Sequence, residues 1–233
     1  MIKKVSVLPG SRASKILFFT EADFTQLPYD GRLVLLFGPN GVGKSTLLNA
    51  MIKSQSKLGR RPEIEVGTDR PSAVFSYSNS TDNFKDREPR SYAESFDPGF
   101  VSAQFDARHV SEGQSVLYSV FDLIDALKTD LLSTEGANTV VVLDEIDSGL
   151  SIDNIDIVMR KIKYALSHNP ELQVIMSFNS PRVLKHCNRV LSMYDGTVLE
   201  LNTDDDMLAE IQKHKKVFDK ARKNSRGRPK VFA

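Results

Sequence analysis

Two short runs in this chain carry the residue types that handle phosphate. Gly38, Pro39, Asn40, Gly41, Val42, Gly43, Lys44 and Ser45, followed by Thr46, fit the pattern G-x-x-x-x-G-K-[ST]. Glycines let the backbone curl until successive N–H groups face one anion, and a helix starting behind them adds its positive end. In such a loop Lys44 reaches the β- and γ-phosphates of a nucleotide, and the Ser45 hydroxyl ligates Mg²⁺. The second run is Asp144 and Glu145, directly after the apolar Val140, Val141, Val142 and Leu143. Successive residues at a strand end point in different directions. Asp144 can therefore face Mg²⁺ and its waters, while Glu145 faces the space beyond the γ-phosphate and orients or deprotonates an attacking water. Capping of the next helix is the alternative role for this pair. A phosphate loop about 100 residues upstream favours catalysis. Asp147 has no assigned role at this level.

The elements needed to hold these groups are legible around them. Leu33 to Phe37 reads as a strand buried on both faces, and Thr46 to Ser54 as the helix after it. A strand is expected at Ser72 to Ser76, another at Thr139 to Leu143, and further strands at Leu172 to Met176 and Arg189 to Met193. Leu117, Val120, Phe121, Ile124, Leu127 and Leu131 have helical spacing, predicting a helix over 112–132. Ile155, Val158, Met159, Ile162 and Leu166 predict a second, stopped at Asn169-Pro170. Asp195-Gly196 between apolar runs predicts a hairpin. Strands alternating with helices make an α/β domain with a mainly parallel sheet flanked by helices. Residues 78–110, rich in Ser, Asp, Arg and Pro, read as a loop-rich insertion or small lateral arm.

Composition narrows the class. The 233 residues are 40% hydrophobic and 26% charged, which is ordinary for a globular protein, and a chain of this length buries about 70% or more of its unfolded surface. The single Cys187 cannot form an internal disulfide, and no basic-then-apolar leader pattern opens the chain, so an intracellular, cytoplasmic protein is expected. No apolar run approaches membrane-spanning length. No His/Cys spacing suggests a metal site other than that for Mg²⁺.

Between the two phosphate-handling runs stands Ser111-Glu-Gly113-Gln114-Ser115. By itself it satisfies a helix capping box, Ser111 to Gln114. Taken in order with the loop containing Asn40 and with Val-Val-Leu-Asp144-Glu145-Ile-Asp-Ser-Gly-Leu-Ser151, it resembles the ABC-type ATPases, a branch of the P-loop NTPases. The resemblance covers roughly Val34 to Leu201. Ser151 and the segment Ser180-Pro-Arg-Val-Leu184 resemble the soluble chromosome-maintenance, RecF and OLD-type members more than transporter subunits. The resemblance implies an ATPase domain over residues 1–212 that binds ATP and Mg²⁺ and hydrolyses ATP to ADP and phosphate. It also implies a head-to-tail pair, homodimeric or heteromeric, in which Ser111, Gly113 and Gln114 of one subunit close on the ATP of the other and so drive or gate an effector protein. Three positions depart from the family pattern. Asn179 stands where a switch histidine is usual and, being unable to carry a proton charge, implies slow hydrolysis. No glutamine follows the strand near Ser76, and Ser151 replaces an intersubunit aspartate. Phe18, Phe19, Phe24 and Tyr29 are the aromatic residues available to stack on adenine, with core packing the more common fate of each.

Charge is unevenly distributed. Lys213 to Lys230 holds nine basic residues and one acid, which leaves residues 1 to 212 at −7. The segment 213–233 therefore reads as a basic C-terminal tail, and Arg226-Gly-Arg228-Pro-Lys230 resembles an AT-hook core. DNA contact through Arg226, Arg228 and Lys230, a solvated tail, and contact with another polyanion or protein are all open readings. Two other functions remain open beside the hydrolysing ATPase of a DNA-related or defence process. One is a nucleotide-gated binding module with little hydrolysis, and the other is the ATP-binding subunit of a transporter.

Overall fold

The computed structural model describes residues 1–55, 62–70, 72–78, 117–118, 120–124, 138–147 and 150–226. Nine strands appear among them: β1 Ile2–Val7, β2 Glu21–Asp23, β3 Leu33–Phe37, β4 Ile64–Thr68, β5 Ser72–Ser78, β6 Asn138–Asp144, β7 Leu172–Ser177, β8 Arg189–Ser192 and β9 Val198–Glu200. The helices are α1 Pro28–Gly31, α2 Lys44–Gln55, α3 Ile152–His168 and α4 Asp204–Arg226, with 3₁₀ turns at Ala13–Lys15 and Pro181–Lys185.

The central sheet has the order β5-β6-β7-β3-β8-β9. Its pairings are parallel except for the antiparallel hairpin of β8 and β9. Every residue of β3, β6 and β7 is buried, which is why their sequences run apolar without alternation. The order also positions chemistry. Because β7 lies between β3 and β6, the chain leaving β7 emerges between the phosphate loop and the carboxylates of β6.

A second, three-stranded antiparallel sheet, β2-β1-β4, was not legible in the sequence, where the strand pattern begins only at Leu33. It is tied to the central sheet by Gln173 of β7. That fully buried amide accepts from Ile2 N at 2.8 Å and donates to Ile2 O at 2.8 Å and Gly31 O at 2.7 Å.

Helix α3 buries Ile155, Val158, Met159, Ile162 and Leu166, the stripe expected from their spacing. Ser151 caps it, its Oγ accepting from Asn154 N, and it ends before Asn169-Pro170. The hairpin turn expected at Asp195-Gly196 is present, with Asp195 accepting from both the amide and the hydroxyl of Thr197. Residues 117–118 and 120–124 are helical and bury Val120 and Ile124. The remainder of the expected 112–132 helix, and the 78–110 insertion beyond Ser78, lie outside the described residues.

At the C-terminal end the helix α4 runs through residue 213, where sequence reading begins the basic tail, and continues to Arg226. Its start is specified locally. Thr203 Oγ1 accepts from Asp206 N at 3.1 Å and Asp206 Oδ2 accepts from Thr203 N at 2.9 Å, a reciprocal cap. Asp204, Asp205 and Asp206 place negative charge in the first turn, against the positive end of the helix dipole. Among the described residues no helix is long and apolar enough to cross a membrane.

Candidate functional site

The phosphate-loop residues connect β3 to α2, whose first residue is Lys44. Gly43 has φ of 106°, and a Cβ there would stand 2.9 Å from Leu17 Cδ2. Both the backbone conformation and the close approach require glycine. Gly41, at φ 85°, also occupies the left-handed region. The loop borders a cleft of about 140 Å³ lined by Ile16, Asn40, Gly41, Gly43, Lys44, Ser45, Thr46 and Glu145. The structure thus brings the two phosphate-handling runs of the sequence to one cavity.

Lys44 lines the cleft and is 4% exposed. Its Nζ donates to Gly38 O and to Asn179 Oδ1, both at 2.7 Å. Burial pulls its pKa below the ordinary lysine value, and the charges of Glu145, Asp147 and Asp144 act against that shift. Asn179 is therefore an acceptor for the loop lysine, held between loop and carboxylates by the strand order.

Beside Glu145, Asp144 Oδ1 accepts from Ser177 Oγ at 2.6 Å, and that hydroxyl accepts from Glu145 N at 2.8 Å. Glu145 has φ of 54°. A non-glycine residue in this region costs about 1–3 kcal/mol, and strain of this kind concentrates where a side chain must be aimed. Asp147 is buried, its Oδ2 accepting from the amides of Asn179, at 2.6 Å, and Ser180. Its Oδ1 is buried with no hydrogen-bond partner among the described residues. Ser177 and Asp147 are contacts of the candidate site that sequence reading missed or left unassigned. The available signal for Ser177 was a polar residue closing an apolar strand.

The donors offered are those of a hard cation. The Ser45 hydroxyl and the Asp144 carboxylate supply oxygen atoms, and among the described residues no cluster of three His, Cys, Asp or Glu could hold a metal unaided. Such a site fits Mg²⁺, which is commonly held by one or two protein oxygens together with substrate phosphates and water.

Other expected residues divide. Phe24 and Phe19 are buried in the core, and Phe18 and Tyr29 pack against it, so core packing accounts for all four aromatics. Ile16 lines the cleft instead. Ser111, Gly113, Gln114, Arg228 and Lys230 lie outside the described residues, and Arg226 is the last residue of α4.

The model of the ATPase family associated with various cellular activities (AAA) matches residues 34–199, from β3 to β9. A solved ATP-binding subunit of an ABC transporter aligns with a TM-score of 0.53 and 13% identity, over 91% of this chain and all (100%) of that one. Stu0660 of Streptococcus thermophilus aligns with a TM-score of 0.50 and 13% identity, over 91% of this chain and 80% of that one. No curated protein matches the sequence significantly. At these identities the likeness is one of fold: the α/β fold of ABC-ATPase cassettes, a mostly parallel sheet flanked by helices.

Proposed function

The chain belongs to the ATPase family associated with various cellular activities, and from that premise we propose that it binds Mg²⁺-ATP in the cleft beside Lys44 and hydrolyses it. The observation that carries this reading is the buried Lys44 ammonium, shared between Gly38 O and Asn179, with Glu145 in the same cleft. Loop amides from Gly38 to Ser45 and the start of α2 receive the β- and γ-phosphates. Lys44 exchanges its contacts with Gly38 and Asn179 for phosphate oxygens, which frees the Asn179 amide to hydrogen-bond the γ-phosphate or the attacking water. Ser45 and Asp144 would hold Mg²⁺, which when bound would offset the phosphate charge. Glu145 accepts the proton of the water whose oxygen bonds to the γ-phosphorus as the bond to the β-phosphate oxygen breaks.

The finer reading is a pair closed around ATP, in the manner of the chromosome-maintenance, RecF and OLD-type branch. It rests on Ser111, Gly113 and Gln114 as read in the sequence, and the basic end of the chain offers DNA or another polyanion as a partner. A second reading, an occupancy switch with little turnover, is favoured by Asn179, an amide where an ionisable group would speed proton transfer.

Phosphate release at saturating ATP tests the proposal. Release is expected to require Mg²⁺ and to fall about 10²–10⁴-fold in Glu145→Gln, with ATP binding retained. Release that is independent of both removes the assigned roles. Negligible release by the wild type, with ATP bound, selects the switch.

A further inference from the structure

The segment carrying Asn179 is held at both ends by carboxylates, and the far one stands apart from the cleft lining. At the near end Asp147 accepts from the amides of Asn179 and Ser180. At the far end stands Asp156, on α3. Arg182 meets it as a fork, Nε donating to Oδ1 at 2.7 Å and a terminal nitrogen to Oδ2, and His186 Nε2 lies 2.7 Å from Oδ1. These hydrogen bonds, that of Arg182 foremost and then that of His186, hold the Asp156 carboxyl well below the usual carboxylate range. The side chains of Asp156, Arg182 and His186 are 19%, 29% and 14% exposed. A planar, two-point pair with a third donor and little solvent fixes orientation in a way that a single surface ion pair does not.

The chain between the two carboxylates is short and stiff. Pro181 opens the 3₁₀ turn Pro181–Lys185, and Ser180 Oγ accepts from Arg182 N. Val183 and Leu184 are buried, and Lys163 of α3 donates to His186 O at 3.2 Å. Rotation of this turn has little slack to absorb it before Asn179 moves against Lys44.

We propose that Asp156 is a positioning residue, setting the Asn179 amide against Lys44 by clamping Arg182 and His186 to α3. As it concerns catalysis, this rests on the reading of the cleft as an ATP site. The cleft lining does not include Asp156, so it acts only through the turn.

The test combines Asp156→Ala, Arg182→Lys and the exchanged pair Asp156→Arg/Arg182→Asp, each checked for folding by its urea midpoint. In Asp156→Ala the turnover number is expected to fall about 10- to 100-fold, the range for displacing a reacting group by up to about 1 Å. ATP affinity should stay within about twofold, because the loop that makes the phosphate contacts is untouched. Arg182→Lys keeps the charge but loses the fork and should show the same split more weakly, while the exchanged pair should recover part of the turnover. Wild-type turnover in folded Asp156→Ala overturns the proposal, as does a proportional loss of turnover and affinity. A readout without nucleotide separates this proposal from the ATP reading. The side-chain amide resonance of Asn179 should shift in Asp156→Ala relative to the wild type, and an unchanged resonance overturns the clamp whether or not ATP binds.

Discussion

A buried ammonium persists only where acceptors surround it, and Lys44 has Gly38 O and the Asn179 carbonyl as acceptors. Burial lowers its pKa, whereas triphosphate oxygens would raise it, so binding at alkaline pH takes up a proton. Affinity for ATP should therefore fall as pH rises through the pKa of Lys44 in the free protein. Calorimetric titration from neutral to alkaline pH checks this, and an affinity that ignores pH contradicts it. At this scale the sequence was most informative where one run of neighbours makes the site, as from Gly38 to Ser45. It was least informative where roles come from distant strands. Ser177 matters because it bridges Asp144 and the Glu145 amide, and Asp147 because it receives the amides of Asn179 and Ser180. No local spacing announces either contact.

Among the elements, the joint between the two sheets includes the buried amide of Gln173, beside the contact of Asn138 with Asp69. Gln173→Leu would leave Ile2 N, Ile2 O and Gly31 O without their partner. Each orphaned buried group costs about 1–3 kcal/mol, so the loss should be roughly 3 kcal/mol or more, read as a lower urea midpoint. A midpoint equal to the wild type's would show that β1 is held by other means. The packing of α4 offers a second check. His214 stacks on Tyr194 with ring centres 4.3 Å apart and lies 2.9 Å from Glu210 Oε1. Burial first, and then the Glu210 charge, push the Tyr194 phenol up to about 12. A raised phenol pKa means that the folded state favours the neutral form. The associated stability is present below the ordinary tyrosine value and is lost as pH rises through about 12. Alkaline absorbance titration should show a late phenolate component that is lost in Tyr194→Phe; its persistence unchanged would contradict the assignment. Strands buried on both faces, β3, β6 and β7, were legible because apolar runs have no other explanation, and α3 because its stripe is complete. The strands β1, β2 and β4 were not, being mixed in polarity. Strand order, which places Asn179 between loop and carboxylates, is a non-local property that no window of sequence contains.

For the whole molecule the question is what ATP holds together. If a second subunit closes over the cleft through Ser111 and Gly113, then a variant that binds ATP and cannot hydrolyse it should remain paired. Light scattering of Glu145→Gln should show a dimer with Mg²⁺-ATP and a monomer without it, whereas a monomer in both conditions removes the paired state from the account. The uneven charge, −7 before residue 213 and basic after it, adds that any DNA binding should weaken steeply with salt. Below all of this lies one claim, that the cradle between β3 and α2 holds a magnesium-bound triphosphate. Equilibrium binding of ATP with Mg²⁺ to the wild type and to Lys44→Ala tests it most directly. Saturable binding of one nucleotide per chain is expected, weakened in Lys44→Ala by about 2–5 kcal/mol, or roughly 30-fold or more. No binding to the wild type, or equal binding to both, would contradict it.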